Sequence, residues 1–238
     1  LLPGQTPAVI ASDDERGWML TTDFGDALDG DAPPEEMVAA LGAWARVQRE
    51  TSPHTEALLK AGCYDRSLGG LAGRVERLAR DGAILAHAPS GSADRLLAAT
   101  TRVADACERL ARMGFPDCLV HGDLHMGNIA RAETGYVFFD WTDACVSHPF
   151  MDGLLPYRLA DAAVRDRARD AILDAWADFT SESTLCEAWE IGSLVCLAHH
   201  AVSYGSLAAT VPQDLLDDLG EFFGTIVGEL LDAVDDAS

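Results

Sequence analysis

The sequence has 238 residues, 48% of them apolar, and carries 39 acidic against 17 basic side chains for a net charge of −22. Such a chain can bury a sizeable core as one large domain or two small ones and is not of the disordered class. The acidity argues against a nucleic-acid partner, which needs a basic face, and no apolar run approaches the ~20 residues of a membrane helix.

A cationic small molecule is the better electrostatic match. The six cysteines (63, 107, 118, 145, 186 and 196) form no C-x-x-C pair. They read as small core residues of a protein in a reducing cytoplasm rather than as a zinc cluster.

In chain order, "PAVIAS" and "GWMLTTDF" flank the polar turn "DDERG", which predicts a two-strand hairpin near residues 7–11 and 18–22. "GDALDGDAPP" follows as a linker. From Pro34 the spacing becomes helical, with Met37, Leu41 and Trp44 on one stripe behind an acidic first turn. Leu68, Leu71, Val75 and Leu78 continue it, as do Leu96, Thr100, Val103, Cys107 and Leu110, until Gly114 and Pro116 stop the last run. Residues 118–140 then read as strand "CLV", a loop, and strand "YVFFD". Beyond Pro156 three helices are expected, near 157–180, 184–209 and 213–234.

The chemistry concentrates in "CLVHGDLHMGNIARAETGYVFFDWTD", residues 118–143. Asp123 follows a strand on a glycine-containing loop, Asn128 comes five residues later, and Asp140 ends the second run. Two carboxylates and an amide are hard oxygen ligands, suited to magnesium rather than zinc. The set also meets the needs of phosphoryl transfer, which asks for a base at the attacking hydroxyl and oxygen ligands for a metal on the phosphates. Asp and Asn five apart is the spacing of the kinase catalytic loop.

On "LVHGDLHMGNI", "VFFDW" and "HPFMD", with "WMLTTDFGDAL" upstream, the sequence resembles the aminoglycoside phosphotransferase and choline kinase group of protein-kinase-like enzymes. The likeness runs from about Pro7 to the end. It implies an α+β, predominantly α-helical fold: the carboxy-terminal lobe of a kinase-like protein over 26–238, with 1–25 as a remnant of the amino-terminal lobe and its hinge. It implies Asp123 as catalytic base and Asn128 and Asp140 as magnesium ligands. Thr22, Asp23 and Phe24 fall at the hinge that meets the base of ATP or GTP, and Phe139 on the apolar floor beneath that base. His121 braces the loop. Asp143 and His125 are candidates to face the acceptor. Asp152 is expected to anchor a helix start and the metal loop.

The pattern also departs from that group. Lys60 is the single lysine and sits on a helical stretch, and "SLGGLAGR" reads as a packing or turn feature rather than a phosphate loop. Most of the amino-terminal lobe is therefore expected to lie outside this sequence, and the chain alone to have little or no kinase activity. The surface left for that lobe is expected to be apolar, with a second copy of the chain, forming a homodimer, as a candidate to cover it. Two rival readings stand beside the kinase. One is a metal-dependent hydrolase built on His121, Asp123 and His125, which alternate along an extended segment. The other is a kinase-like binding module without chemistry.

Overall fold

The computed structural model describes residues 2–30, 32–133, 135–208, 210–211 and 213–236, with residues 213–218 given by backbone alone. Strands β1 (Val9–Asp13) and β2 (Trp18–Thr21) pair antiparallel around the turn at Gly17, whose φ is +64°. Both strands leave large apolar side chains in solvent: Val9, Ile10, Trp18, Met19 and Leu20 are all exposed. The hairpin is continuous with the rest of the molecule through the start of the chain, because Phe138 N–H donates to the Gln5 carbonyl at 2.8 Å.

Helix α1 (Pro34–Thr51) opens with proline at its first position and Glu35 and Glu36 in its first turn, and closes with Arg49 in its last. These are the placements that the helix dipole and the missing proline N–H favour. Its buried stripe of Ala40, Leu41, Trp44, Ala45 and Val47 packs on α7 (Ala162–Asp174). Helix α5 (Ser92–Arg112) buries Leu96, Ala99, Val103, Cys107 and Leu110 and ends before Gly114, at φ +76°. Short helices α2 (Thr55–Lys60), α3 (Leu71–Leu78), α4 (Gly82–Leu85) and α6 (Leu154–Arg158) fill the intervals. Helix α8 (Glu182–Ala208) is the spine, buried around much of its circumference and packed against α5 and α9 (Gln213–Asp236).

Residues 118–147 depart from the single strand–loop–strand insert that the sequence suggests. Strand β4 (Cys118–Val120) does not pair with the "YVFF" run. It pairs antiparallel with β7 (Cys145–Ser147), which in turn pairs parallel with β3 (Tyr64–Asp65). The loop itself contains β5 (Ile129–Ala132), which forms a separate hairpin with β6 (Gly135–Phe138). Asp140 therefore lies two residues beyond β6 rather than on its end. The physical reason is length: strands of two to four residues carry too few alternations to register as a period.

Four of the cysteines are buried and none is in a disulfide. Burial pushes the Cys107 thiol up to about 11 and the Cys145 thiol up to about 12, so both stay protonated packing groups. Among the described residues no helix is long and apolar enough to cross a membrane.

Candidate active site

The floor of the site is one buried carboxylate. Asp152, on the short 3-10 turn after β7, accepts from the indole N–H of Trp44 at 2.8 Å and the amide of Gln48 at 3.1 Å. It also accepts from the backbone N–H groups of His121 at 2.8 Å and Gly122 at 2.9 Å. Burial pushes its acid upward, opposed by the His121 imidazole and these same N–H donors. Asp152 thus clamps helix α1 to the first residues of the loop after β4.

Gly122 then turns the chain with φ +84°, and a Cβ there would run into the backbone carbonyl of Asp143. Only glycine meets both demands. The turn presents Asp123 outward while His121 stays wholly buried, its ring packed against Trp44 and Trp141 and its Nε2 2.8 Å from the Phe139 carbonyl oxygen. His121 therefore does not share a face with Asp123 and His125. The extended segment that the hydrolase reading requires is broken at Gly122. Among the described residues no cluster of three His, Cys, Asp or Glu side chains is set to hold a metal ion.

A ladder of hydrogen bonds ties the two tips together. Asn128 Nδ2 donates to the Asp123 carbonyl at 2.9 Å, and Phe139 N–H donates to the Asn128 carbonyl at 3.1 Å. With the His121–Phe139 contact, these bonds join the loop of Asp123 and Asn128 to Phe139, the residue before Asp140. Asp140 has φ +60°, the one positive value at a non-glycine among the described residues, and its Oδ1 accepts from the Thr142 hydroxyl at 2.8 Å. Strain of this kind collects where a side chain must be aimed. Asp143 is pushed above the usual carboxylate range, first by burial, then by the negative charge of Asp123, with a further push from Asp140. The Asn128 amide commits its nitrogen to Asp123, and its oxygen, like the Asp140 carboxylate, offers an oxygen donor. Such an oxygen donor set fits a hard divalent cation that also takes ligands from phosphates.

The two carboxylates open on different cavities. Asp140 and Phe139 line a cleft of about 920 Å³ together with Phe24, Thr21 and Met19 from the hairpin side. The Phe24 and Phe139 rings stand 4.9 Å apart. Thr22 and Asp23 are not in its lining: Thr22 N–H is taken by the Ala8 carbonyl and the Asp23 carboxylate accepts from Gly25 N–H. Asp123 and His125 line a second cavity of about 250 Å³ with Leu154, Leu155, Tyr204 and Phe222. His125 accepts from Gly127 N–H through Nδ1, and its Nε2 lies 3.7 Å from Asp123 Oδ2. Asp143 lines neither cavity; it is half-buried, with its backbone beside Gly122. Lys60 stands exposed on α2, paired with Glu56 at 3.0 Å.

Tyr204 is the participant that sequence reasoning missed. It lies on an apolar stretch of α8 and donates its hydroxyl to Asp123 Oδ1 at 2.7 Å across 81 residues of sequence. A tyrosine between two apolar helical turns carries no local signal of that contact.

The model of the phosphotransferase enzyme family matches residues 3–186, a span that includes every residue of the loop and both carboxylates. A search of curated proteins returns no match. Among solved structures the fold is similar to a choline/ethanolamine kinase family protein from Mesorhizobium loti. The two are 16% identical at a TM-score of 0.60, covering 97% of this chain and 78% of that one. The choline kinase LicA from Streptococcus pneumoniae is 12% identical at a TM-score of 0.59, over 95% and 76% of the two chains. The macrolide 2'-phosphotransferase MphH from Brachybacterium faecium is 16% identical at 0.50, over 94% and 67%. At these identities the structures speak for the shared α+β, mainly helical kinase-like fold. With the family model matched over well more than half of its length, the chain belongs to the phosphotransferase enzyme family.

Proposed function

We propose that this chain carries the catalytic lobe of a small-molecule kinase that moves the γ-phosphoryl group of ATP or GTP to a hydroxyl of a small acceptor. The observation that carries the reading is the division of the joined tips between two cavities: Asp140 on the cleft walled by Phe24 and Phe139, Asp123 on the smaller pocket. The cleft suits a nucleotide, with the paired Phe24 and Phe139 rings forming an apolar wall against which a base can pack. The smaller pocket suits the acceptor, and the surrounding negative charge favours one bearing an amine.

Asp123 takes the proton of the acceptor hydroxyl as that oxygen attacks the γ-phosphorus. The bond from phosphorus to the bridging oxygen breaks, leaving a phosphate ester and the nucleoside diphosphate. Asn128 and Asp140 would hold magnesium, which when bound neutralises charge on the phosphate oxygens. His125 and Asp143 orient the acceptor. Residues 1–25 belong, on this reading, with the nucleotide-covering lobe, and 26–238 form the catalytic lobe.

No strand lysine or phosphate-covering loop stands over the cleft among the described residues. One lost transition-state donor typically slows reaction by about 10²–10³-fold, so slow transfer is expected of this chain alone. Incubation with [γ-³²P]ATP, Mg²⁺ and choline, ethanolamine or an aminoglycoside tests the assignment. A low level of labelled ester is expected, falling by about 10²–10⁴-fold in Asp123→Asn. Transfer that is indifferent to that substitution contradicts the role of Asp123.

A further inference from the structure

Asp123 has two carboxylate oxygens, and the protein treats them differently. Oδ1 receives the Tyr204 hydroxyl at 2.7 Å. Among the described residues Oδ2 accepts no hydrogen bond, and His125 Nε2 lies 3.7 Å from it. Tyr204 is not a loose surface side chain that happens to reach. Its ring stacks on His200 at 5.9 Å and 26°, and meets the edge of Phe222 at 4.9 Å and 79°. His200 is in turn fixed to the chain, with its Nε2 2.9 Å from the Met151 carbonyl oxygen. Met151 precedes Asp152, the carboxylate that holds the His121 and Gly122 N–H groups. The aromatic pile on α8 and the loop carrying Asp123 are therefore referenced to the same short turn.

We propose that Tyr204 is a positioning residue for Asp123: its hydroxyl occupies Oδ1, fixes the carboxylate rotamer and leaves Oδ2 as the oxygen that meets the acceptor. This rests on Asp123 being the base. Tyr204 is suited to the task because it stays a donor. Burial, then the adjacent charge of Asp123, push its phenol well above the ordinary tyrosine range.

Two measurements on the full chain test it. The first needs no turnover. With ¹³Cζ-tyrosine labelling, the resonance missing from Tyr204→Phe identifies Tyr204 among the four tyrosines. Asp123→Asn should move that resonance and leave the other three in place. A Tyr204 signal unmoved by Asp123→Asn overturns the proposal. The second uses ATP, Mg²⁺ and whichever of choline, ethanolamine or an aminoglycoside is phosphorylated fastest. Tyr204→Phe keeps the ring and its packing, and should lower kcat by about 10–100-fold, the scale of a misplaced reacting group. The acceptor KM should change little.

If Tyr204 only binds acceptor, KM rises and kcat holds, which overturns the proposal. If Asp123→Asn itself retains full turnover, it is the base assignment that fails. If Asp123→Asn abolishes turnover and Tyr204→Phe leaves kcat unchanged, only the positioning role fails.

Discussion

Two carboxylates flank the loop after β4, and the protein surrounds them in opposite ways. Asp152, below, is buried and receives four N–H donors from Trp44, Gln48, His121 and Gly122. Asp123, above, is partly exposed to a cavity and receives one phenol. A carboxylate whose lone pairs are filled by the protein is scaffold. One left with an open oxygen on a cavity is available for chemistry. The aspartates of this loop divide along that line, and the division can be broken by substitution.

The largest effect is expected at the floor. Asp152→Ala strands four buried N–H groups, at about 1–3 kcal/mol each when unsatisfied, so urea denaturation should show a loss of about 4 kcal/mol or more, or no folded protein. At the tip, Asp123→Asn and Asp140→Asn should keep a melting temperature near that of the parent while transfer collapses. Asn tolerates the left-handed backbone that Asp140 adopts. If the floor and tip substitutions destabilise alike, the distinction between them is lost.

Gly122→Ala sharpens the comparison at the residue between floor and tip. It asks for a side chain at φ +84° against the Asp143 carbonyl, and should destabilise by about 1–3 kcal/mol while also displacing Asp123, so that stability and transfer fall together.

Acid probes the buried histidines behind the same turn. Burial pushes His148 down to about 3 and His200 down to about 4, from an ordinary value of 6.5. Both are neutral when folded and take up protons only on unfolding. Below 6.5 the unfolded state binds more protons, so stability falls as pH drops from there towards 4. Thermal melts between pH 7 and pH 4.5 should show that decline, and His148→Gln should flatten it. The smallest effect is expected at the hairpin, where Trp18→Ser removes an exposed side chain and should shift stability by less than about 0.5 kcal/mol.

Most of this fold is legible where the elements are long. The stripes Met37–Leu41–Trp44 and Leu96–Val103–Leu110 lie on α1 and α5, where helical spacing puts them. The hairpin falls where the apolar runs and polar turn predict. Strands β3 and β7 are hidden because each gains its identity from a partner far along the chain, and β5, although its partner β6 follows directly, because its four residues are too few to set a period. At the candidate site, spacing alone singles out Asp123, Asn128 and Asp140, and hydrogen bonds from Asn128 and Phe139 join the two segments that carry them. Tyr204 carries no such signal, because its bond to Asp123 spans 81 residues, from the loop after β4 to α8, and leaves no trace in local pattern. Thr22 was legible only as a neighbour of the cleft. Its N–H is consumed by Ala8, a pairing set by the hairpin's register.

The gathering of Asn128 and Asp140 around one hard cation is tested most directly by Mn²⁺ titration in the presence of ATP, followed by electron paramagnetic resonance. The wild-type chain should bind the metal–nucleotide pair, Asp140→Asn should weaken it at least about tenfold, and Asp123→Asn should leave it unchanged. Equal affinity in the wild-type chain and Asp140→Asn would contradict a metal site at the tip of this loop.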